Sequence, residues 1–288
     1  MFRTIGHTFE LMKMSWRVLM KDRELIFFPI FGVIGAGIAV GIFAAIAAAA
    51  GSLDRIQDVI SDSETKESLA AGDIVLLVLL YVAVYFVTIF FNAALIAAAL
   101  ERLRGGDPNI RSGLAVASRH IPAILGWAII AATVGLILQM MRDRQDNIIG
   151  QLFVGLLQGA WSLMTFFVIP VLVAEGLGPI AAIKRSSSMI RGTWGRQITA
   201  SFGFGIMRMI AGVVAILPAA LVFAVSPVLG IMVGVITISI AFGIVGAMEG
   251  IFKAALYEYS NGEKPVEFDT EVLRSAYQPD LRVQRGTR

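Results

Sequence analysis

Long apolar runs alternate with short amphipathic segments along the chain, and that alternation sets the expected elements. Six runs, at about residues 25–50, 74–100, 121–141, 152–174, 198–224 and 228–257, are long enough to cross roughly 30 Å of hydrocarbon as helices. The predicted fold is all-α: a polytopic membrane protein with six transmembrane helices. Residues 1–24 carry a different pattern, that of an N-terminal amphipathic interfacial helix. Ile5, Phe9, Met12, Trp16 and Leu19 share one face, and Lys13, Arg17 and Lys21 lie opposite, four apart. A basic face behind a Trp-bearing face suits a helix lying among headgroups, and it equally suits one packed on the ends of the spans.

Similar segments precede the third and fifth runs. In the first of these, Asp107 is the expected N-cap and Pro108 the first helical residue. Ile110, Leu114, Ala117 and Ile121 then oppose Arg111 and Arg119. In the second, Gly178-Pro179 restarts the backbone, with Ile180, Ile183, Ile190 and Trp194 on one face and Lys184, Arg185, Ser188 and Arg191 around the rest. The returning runs end alike: Phe90-Phe91-Asn92-Ala93-Ala94-Leu95, then Phe166-Phe167 before Pro170, then Ile251-Phe252-Lys253-Ala254-Ala255-Leu256. Each is followed by glycine and proline, at Gly106 and Pro108, Gly178 and Pro179, and Gly262 and Pro265. The expected arrangement is three parallel two-helix repeats, each preceded by a cytoplasmic amphipathic helix. Residues 25–259 form the transmembrane domain and 260–288 a polar tail.

Charge decides the orientation. The N-terminal segment, the two later amphipathic segments, the end of span six and the tail hold nineteen Lys and Arg. The opposite side holds four, Arg55, Lys66, Arg142 and Arg144, and Arg208 is left inside a span. Both termini are therefore expected in the cytoplasm. The loop at residues 52–73 is acidic, but it lacks the spacing and glycine turn of a calcium loop. Ala48-Ala49-Ala50 mimics a cleavage site, yet the apolar run before it is too long for a signal peptide, so it reads as a retained first span.

Composition changes the picture mainly by what it removes. With 57% hydrophobic and 16% charged residues and a mean hydropathy of +0.78, the chain lies outside the ordinary soluble range. Without cysteine there are no disulfides and no thiolate chemistry. His7 and His120 lack ligand-spaced partners, Ser186-Ser187-Ser188 lacks a nucleophile elbow, and no phosphate loop is present. Gly35-x-Gly37 has no strand before it and reads as packing, as do the small-xxx-small Gly37 and Gly41. No enzyme, cofactor, metal or nucleic-acid partner is expected. The basic segments suit anionic headgroups of the cytoplasmic leaflet, with Lys13, Arg17, Lys21, Arg111, Arg119, Lys184, Arg185 and Arg191 as candidates.

Ionisable residues inside a span are costly and mark candidate sites. Arg208 in span five and Glu249 in span six are such residues, with Lys253 four positions after Glu249. Counted from the Ser226 turn at 1.5 Å per residue, Arg208 lies about 8 Å nearer that turn than Glu249, a gap an arginine can close by snorkelling. The expectation is a pair that fixes the last hairpin's register, against a polar pathway or an anionic headgroup site. Asn92, Gln139 and Gln158 are expected to bond between helices.

Two phrases, SWRVLMKDRELIFFPI and FFVIPVLVAEGLGPIAAIKRSSSMIRGTWG, together with the hydropathy of residues 1–260, resemble a family of uncharacterised bacterial and archaeal six-span membrane proteins. More remotely, the layout is similar to the membrane domain fused to some glycerophosphodiester phosphodiesterases. That resemblance implies architecture and a lipid-proximal setting in a bacterial or archaeal cytoplasmic membrane, not that activity. The functional expectation is a non-enzymatic protein of membrane or lipid organisation or assembly. It is able to form a homo-oligomer through glycine-rich faces. The alternative is a transporter or channel for a small solute or lipid, with Arg208 and Glu249 near the route.

Overall fold

The computed structural model describes residues 2–61, 69–145, 147–191 and 197–268, and among these there is helix and no strand. The order is α1 (Phe2–Lys21), a 3-10 turn (Arg23–Ile26), α2 (Phe27–Ala49), α3 (Leu53–Ser61), α4 (Ala71–Leu103), α5 (Ile110–Arg119), α6 (Ile121–Asp143), α7 (Ile148–Met164), α8 (Val168–Glu175), α9 (Pro179–Arg191), α10 (Gln197–Phe223) and α11 (Pro227–Ser260). Six helical stretches are long and apolar enough to cross a membrane: Arg23–Ala49, Ala71–Leu103, Ile121–Asp143, Ile148–Glu175, Phe204–Phe223 and Pro227–Ser260. Expectations for Lys66, Trp194, Arg196 and the tail beyond residue 268 lie outside the described residues. So do those for the side chains of Ile5, His7, Phe9 and Arg191.

The buried core sits at one end of the bundle. Leu95, Leu100 and Leu103 of α4 and Ile251, Phe252 and Leu256 of α11 are enclosed there, with Phe167 and Leu172 beside them and Val18 and Leu19 of α1. We call this end the collar. Away from it, apolar side chains such as Ile34, Ile38, Val75, Leu79, Met209, Leu217 and Ile231 face outward. Backbones come close inside the collar because glycine leaves room. A Cβ on Gly113 would stand 2.6 Å from the Ala94 carbonyl oxygen and 2.7 Å from Phe28 Cζ, and one on Gly250 would stand 2.6 Å from Leu95 Cδ2.

Several expectations are corrected. Gly37 and Gly41 face open space, and α2 meets α4 instead through Gly32 and Gly35, toward Phe91 and Val87. The packed face of α1 is rotated from the expected one. Leu11, Met14, Val18 and Leu19 are buried against α10 and α11, whereas Trp16 is exposed. On α9 the enclosed face runs through Ala182, Ser186 and Ile190, leaving Ile180 exposed. Helix α5 starts two residues later than expected. Asn109 is its cap, with Oδ1 accepting from Ser112 N–H at 2.9 Å and Ser112 Oγ accepting from Asn109 N–H at 3.1 Å, a reciprocal box that Asp107 cannot make. Gln139 donates to Asp143 of its own helix rather than to a neighbour.

At the far end, one ion pair joins α3 to the start of α4. Arg55 of α3 grips Asp73 with two hydrogen bonds of 2.9 Å and also donates to the Gly51 carbonyl at 2.8 Å. Asp73, 1% exposed, accepts from Ala70 N–H as well and so caps α4.

Span four is broken. Thr165, Phe166 and Phe167 form a turn between α7 and α8, and Pro170 falls in the first turn of α8, where a missing N–H costs nothing, instead of closing the span. The break frees Phe167 N–H, which donates to the buried Ser186 Oγ of α9 at 3.0 Å. Ser186 is thus a bracket between the broken span and the next amphipathic helix. Replacing it by alanine leaves a buried donor unpaired, so Ser186→Ala should lower stability by about 1–3 kcal/mol. Ser188→Ala, on the exposed side, should be near neutral, with both read as unfolding midpoints in detergent.

Candidate functional site

The collar is held by acids at helix ends. Asp22, just after α1, binds Arg102 at the end of α4 through two short contacts, and Arg102 reaches Asp107 at 2.8 Å. Arg104 binds the buried Glu258 of α11 at 2.8 Å, and that hydrogen bond pushes the Arg104 pKa further up. Glu175, at the end of α8, accepts from Arg185 at 3.1 Å and from Tyr257 at 2.9 Å, while Arg185 also donates to Asn261. Lys21 pairs with Glu267 at 2.5 Å, and Val266 N–H donates to the Leu103 carbonyl at 2.8 Å, tying the segment after α11 back onto α4. His120 turns inward on its own helix, its Nδ1 bonding the Val116 carbonyl at 2.9 Å.

The expected headgroup residues therefore divide. Arg185 and Lys21 are engaged inside the collar or at its edge. Lys13, Arg17, Arg111, Arg119 and Lys184 are exposed and make no ion pair among the described residues. Neither the Asp22–Arg102 clasp nor the Glu175–Arg185–Tyr257 cluster was foreseen. The signal for both was an acid at the edge of an apolar run, where a charge needs a partner once the helix ends pack together.

Arg208, Glu249 and Lys253 lie together. Glu249 accepts from Arg208 across the α10–α11 hairpin at very short range and from Lys253, one turn along its own helix, at 2.8 Å. Lys253 also lies over the Phe166 ring, 5.5 Å from its centroid, beside the break in span four. Glu249 and Lys253 side chains are 21% and 23% exposed, whereas that of Arg208 is 49% exposed.

The pair is not sealed in a packed bundle. It lines a cavity of about 370 Å³ walled by Pro29, Gly32 and Val33 of α2, Phe91 and Asn92 of α4, and Gly246 of α11, among others. Arg208 is the residue α10 contributes to it. Charge pairing and open space thus occur together, a combination the spacing of Arg208 and Glu249 did not disclose. Among the described residues no group of three His, Asp or Glu is placed to hold a metal.

A family of unknown function, DUF6159, matches residues 70–266, more than half of the chain. The chain belongs to that family. The DUF6159 match begins at the foot of α4 and ends at the segment that Val266 ties to Leu103. It takes in Asn92, Arg208, Glu249 and Lys253, while α1 and α2 precede it, and of these two α2 supplies one cavity wall. No curated protein matches the chain.

Proposed function

We propose that this member of the DUF6159 family is a non-enzymatic multi-pass protein of a bacterial or archaeal cytoplasmic membrane. In this reading its collar lies on the cytoplasmic side and organises anionic lipids there. One observation carries it: the charge left unpaired on the collar is mostly positive. Asp22, Glu175, Glu258 and Glu267 are each held by a basic side chain, whereas Lys13, Arg17, Arg111, Arg119 and Lys184 are exposed without such a partner. Each cation near an anionic surface contributes about 1 kcal/mol, so five of them favour anionic lipid strongly. The three basic helices α1, α5 and α9 act as interfacial helices of three parallel units, α2 with α4, α6 with α7–α8, and α10 with α11. The element order supports that repeat. The remoter likeness to the membrane domain of glycerophosphodiester phosphodiesterases fits the same lipid-proximal setting.

A second reading is a transporter or channel for a small solute or lipid. The cavity at Arg208 and Glu249 favours it.

Lipids co-purified with the full chain should be enriched in anionic species over the host membrane. Changing Lys13, Arg17, Arg111, Arg119 and Lys184 together to glutamine should abolish that enrichment, read by lipid mass spectrometry; an unchanged profile would sink the collar reading. The cysteine-free sequence permits a topology test. A membrane-impermeant maleimide should label Gln57→Cys on intact cells and Ser188→Cys only after permeabilisation, and the reverse pattern overturns the orientation. Solute or lipid flux in liposomes that falls with Arg208→Ala would support the transporter, and absence of flux from both proteins counts against it.

A further inference from the structure

We propose that the cavity between α2, α4, α10 and α11 binds the phosphodiester of one anionic phospholipid from the collar-side leaflet, held by Arg208 and Lys253. The proposal deepens the lipid reading above, and rests on it, by assigning one discrete site.

Charge comes first. Arg208, Glu249 and Lys253 are the charged residues lining the cavity, two positive against one negative. Both oxygens of Glu249 are taken, Oε2 by Arg208 and Oε1 by Lys253. The carboxylate therefore holds the two cations together and leaves a net single positive charge, the complement of a phosphodiester monoanion. Spare donors remain. Among the described residues Arg208 has Glu249 as its acceptor, leaving most of its five N–H groups free, and the Asn92 amide has no hydrogen-bond partner.

Depth points the same way. About 20 helical residues cross the hydrocarbon. Counted from the far ends of α4 at Ala71 and α11 at Pro227, that length reaches about residues 91 and 247. Asn92, Glu249 and Lys253 thus fall at the boundary where phosphates sit, and Arg208 reaches toward it from about a turn deeper.

The walls select a lipid over a free anion. Pro29, Val33, Phe91, Leu95 and Phe242 offer apolar surface that a soluble phosphate cannot use and a glycerol backbone with its first methylenes can. The outer faces of α2 and α10 also carry exposed Ile34, Ile206 and Met209, apolar surface available to acyl chains. The half-exposed Arg208 marks the open side. A cavity of about 370 Å³ lies within the range of roughly 300–1,000 Å³ for small-molecule sites.

The test is native mass spectrometry of the full chain in neutral detergent. It is titrated with phosphatidylglycerol, with phosphatidylcholine of the same acyl chains, and with glycerol 3-phosphate. One phosphatidylglycerol per chain should be retained at concentrations where phosphatidylcholine is not, and glycerol 3-phosphate should fail to displace it. Arg208→Gln with Lys253→Gln should weaken that binding at least about tenfold. Glu249→Gln keeps both cations and a side-chain oxygen to accept from them while raising the site's net positive charge, so it should bind at least as tightly as the parent; it decides the matter if the double variant does not fold. The five-site collar variant should lose weaker, additional lipids and keep this one, so failure here and failure of the collar reading are separable. Equal phosphatidylglycerol binding by the double variant, or equal binding of phosphatidylcholine, overturns the proposal. So does displacement by glycerol 3-phosphate, or loss of the lipid in folded Glu249→Gln.

Discussion

The hydrophobic effect acts only where water would otherwise be, and that constraint explains where this protein keeps its core. Between spans in a bilayer there is no gain in hiding leucine from lipid, since the tails are as apolar as the side chain. Residues such as Ile38, Leu79, Met209 and Leu217 therefore face outward with no penalty. At the collar, charged side chains cluster at the helix ends, and there burial matters again. Phe28, Leu95, Phe167, Phe252 and Leu256 are enclosed at that level, and α1 lays Val18 and Leu19 over them. The core is thus a plate at one end of the bundle rather than a column along it.

Enclosing helix ends raises a second demand, because ends carry unpaired backbone groups and flanking charges. Several of these find a partner from another part of the chain. Asp22 takes Arg102, Glu258 takes Arg104, Glu24 accepts from Ile110 N–H at 3.1 Å, and Ser186 accepts from Phe167 N–H. These contacts join residues far apart in sequence, so they also fix which hairpin sits beside which. An ion pair enclosed this way adds little net stability by itself, but breaking one half of it is costly. The collar is accordingly specific as well as greasy.

The same physics sets what could be read from the sequence. Span existence was legible because long apolar runs are an unambiguous signal, and six helical stretches of that length and apolarity are present, the fourth of them broken at residues 165–167. Faces were less so. Trp16 and Ile180 share apolar faces by periodicity with residues that are buried, yet both are exposed, because beside a membrane an apolar residue has two acceptable neighbours, protein and lipid. Periodicity cannot separate those. Gly37 and Gly41 failed for the same reason: small-residue spacing permits close approach without saying that a helix comes. The Arg208–Glu249 pair was legible because a charge inside a span has almost no alternative to finding its opposite. The cavity beside it was not, since a void belongs to four helices at once and to no single stretch.

That void has a physical reason to be where it is. Close approach of α11 to α4 is set at Gly250 against Leu95, within the collar, and the nearby positions facing α2 are again glycines, Gly243 and Gly246. Helices drawn together at one end by a dense core, and lined by residues without side chains just beyond it, leave unfilled space at the edge of that core. A lone arginine on the fourth helix could not pack such a space, but it can close it electrostatically by reaching Glu249. The pair therefore does two things: it ties α10 to α11, and it keeps cationic donors at the mouth of a space that apolar packing alone would have collapsed.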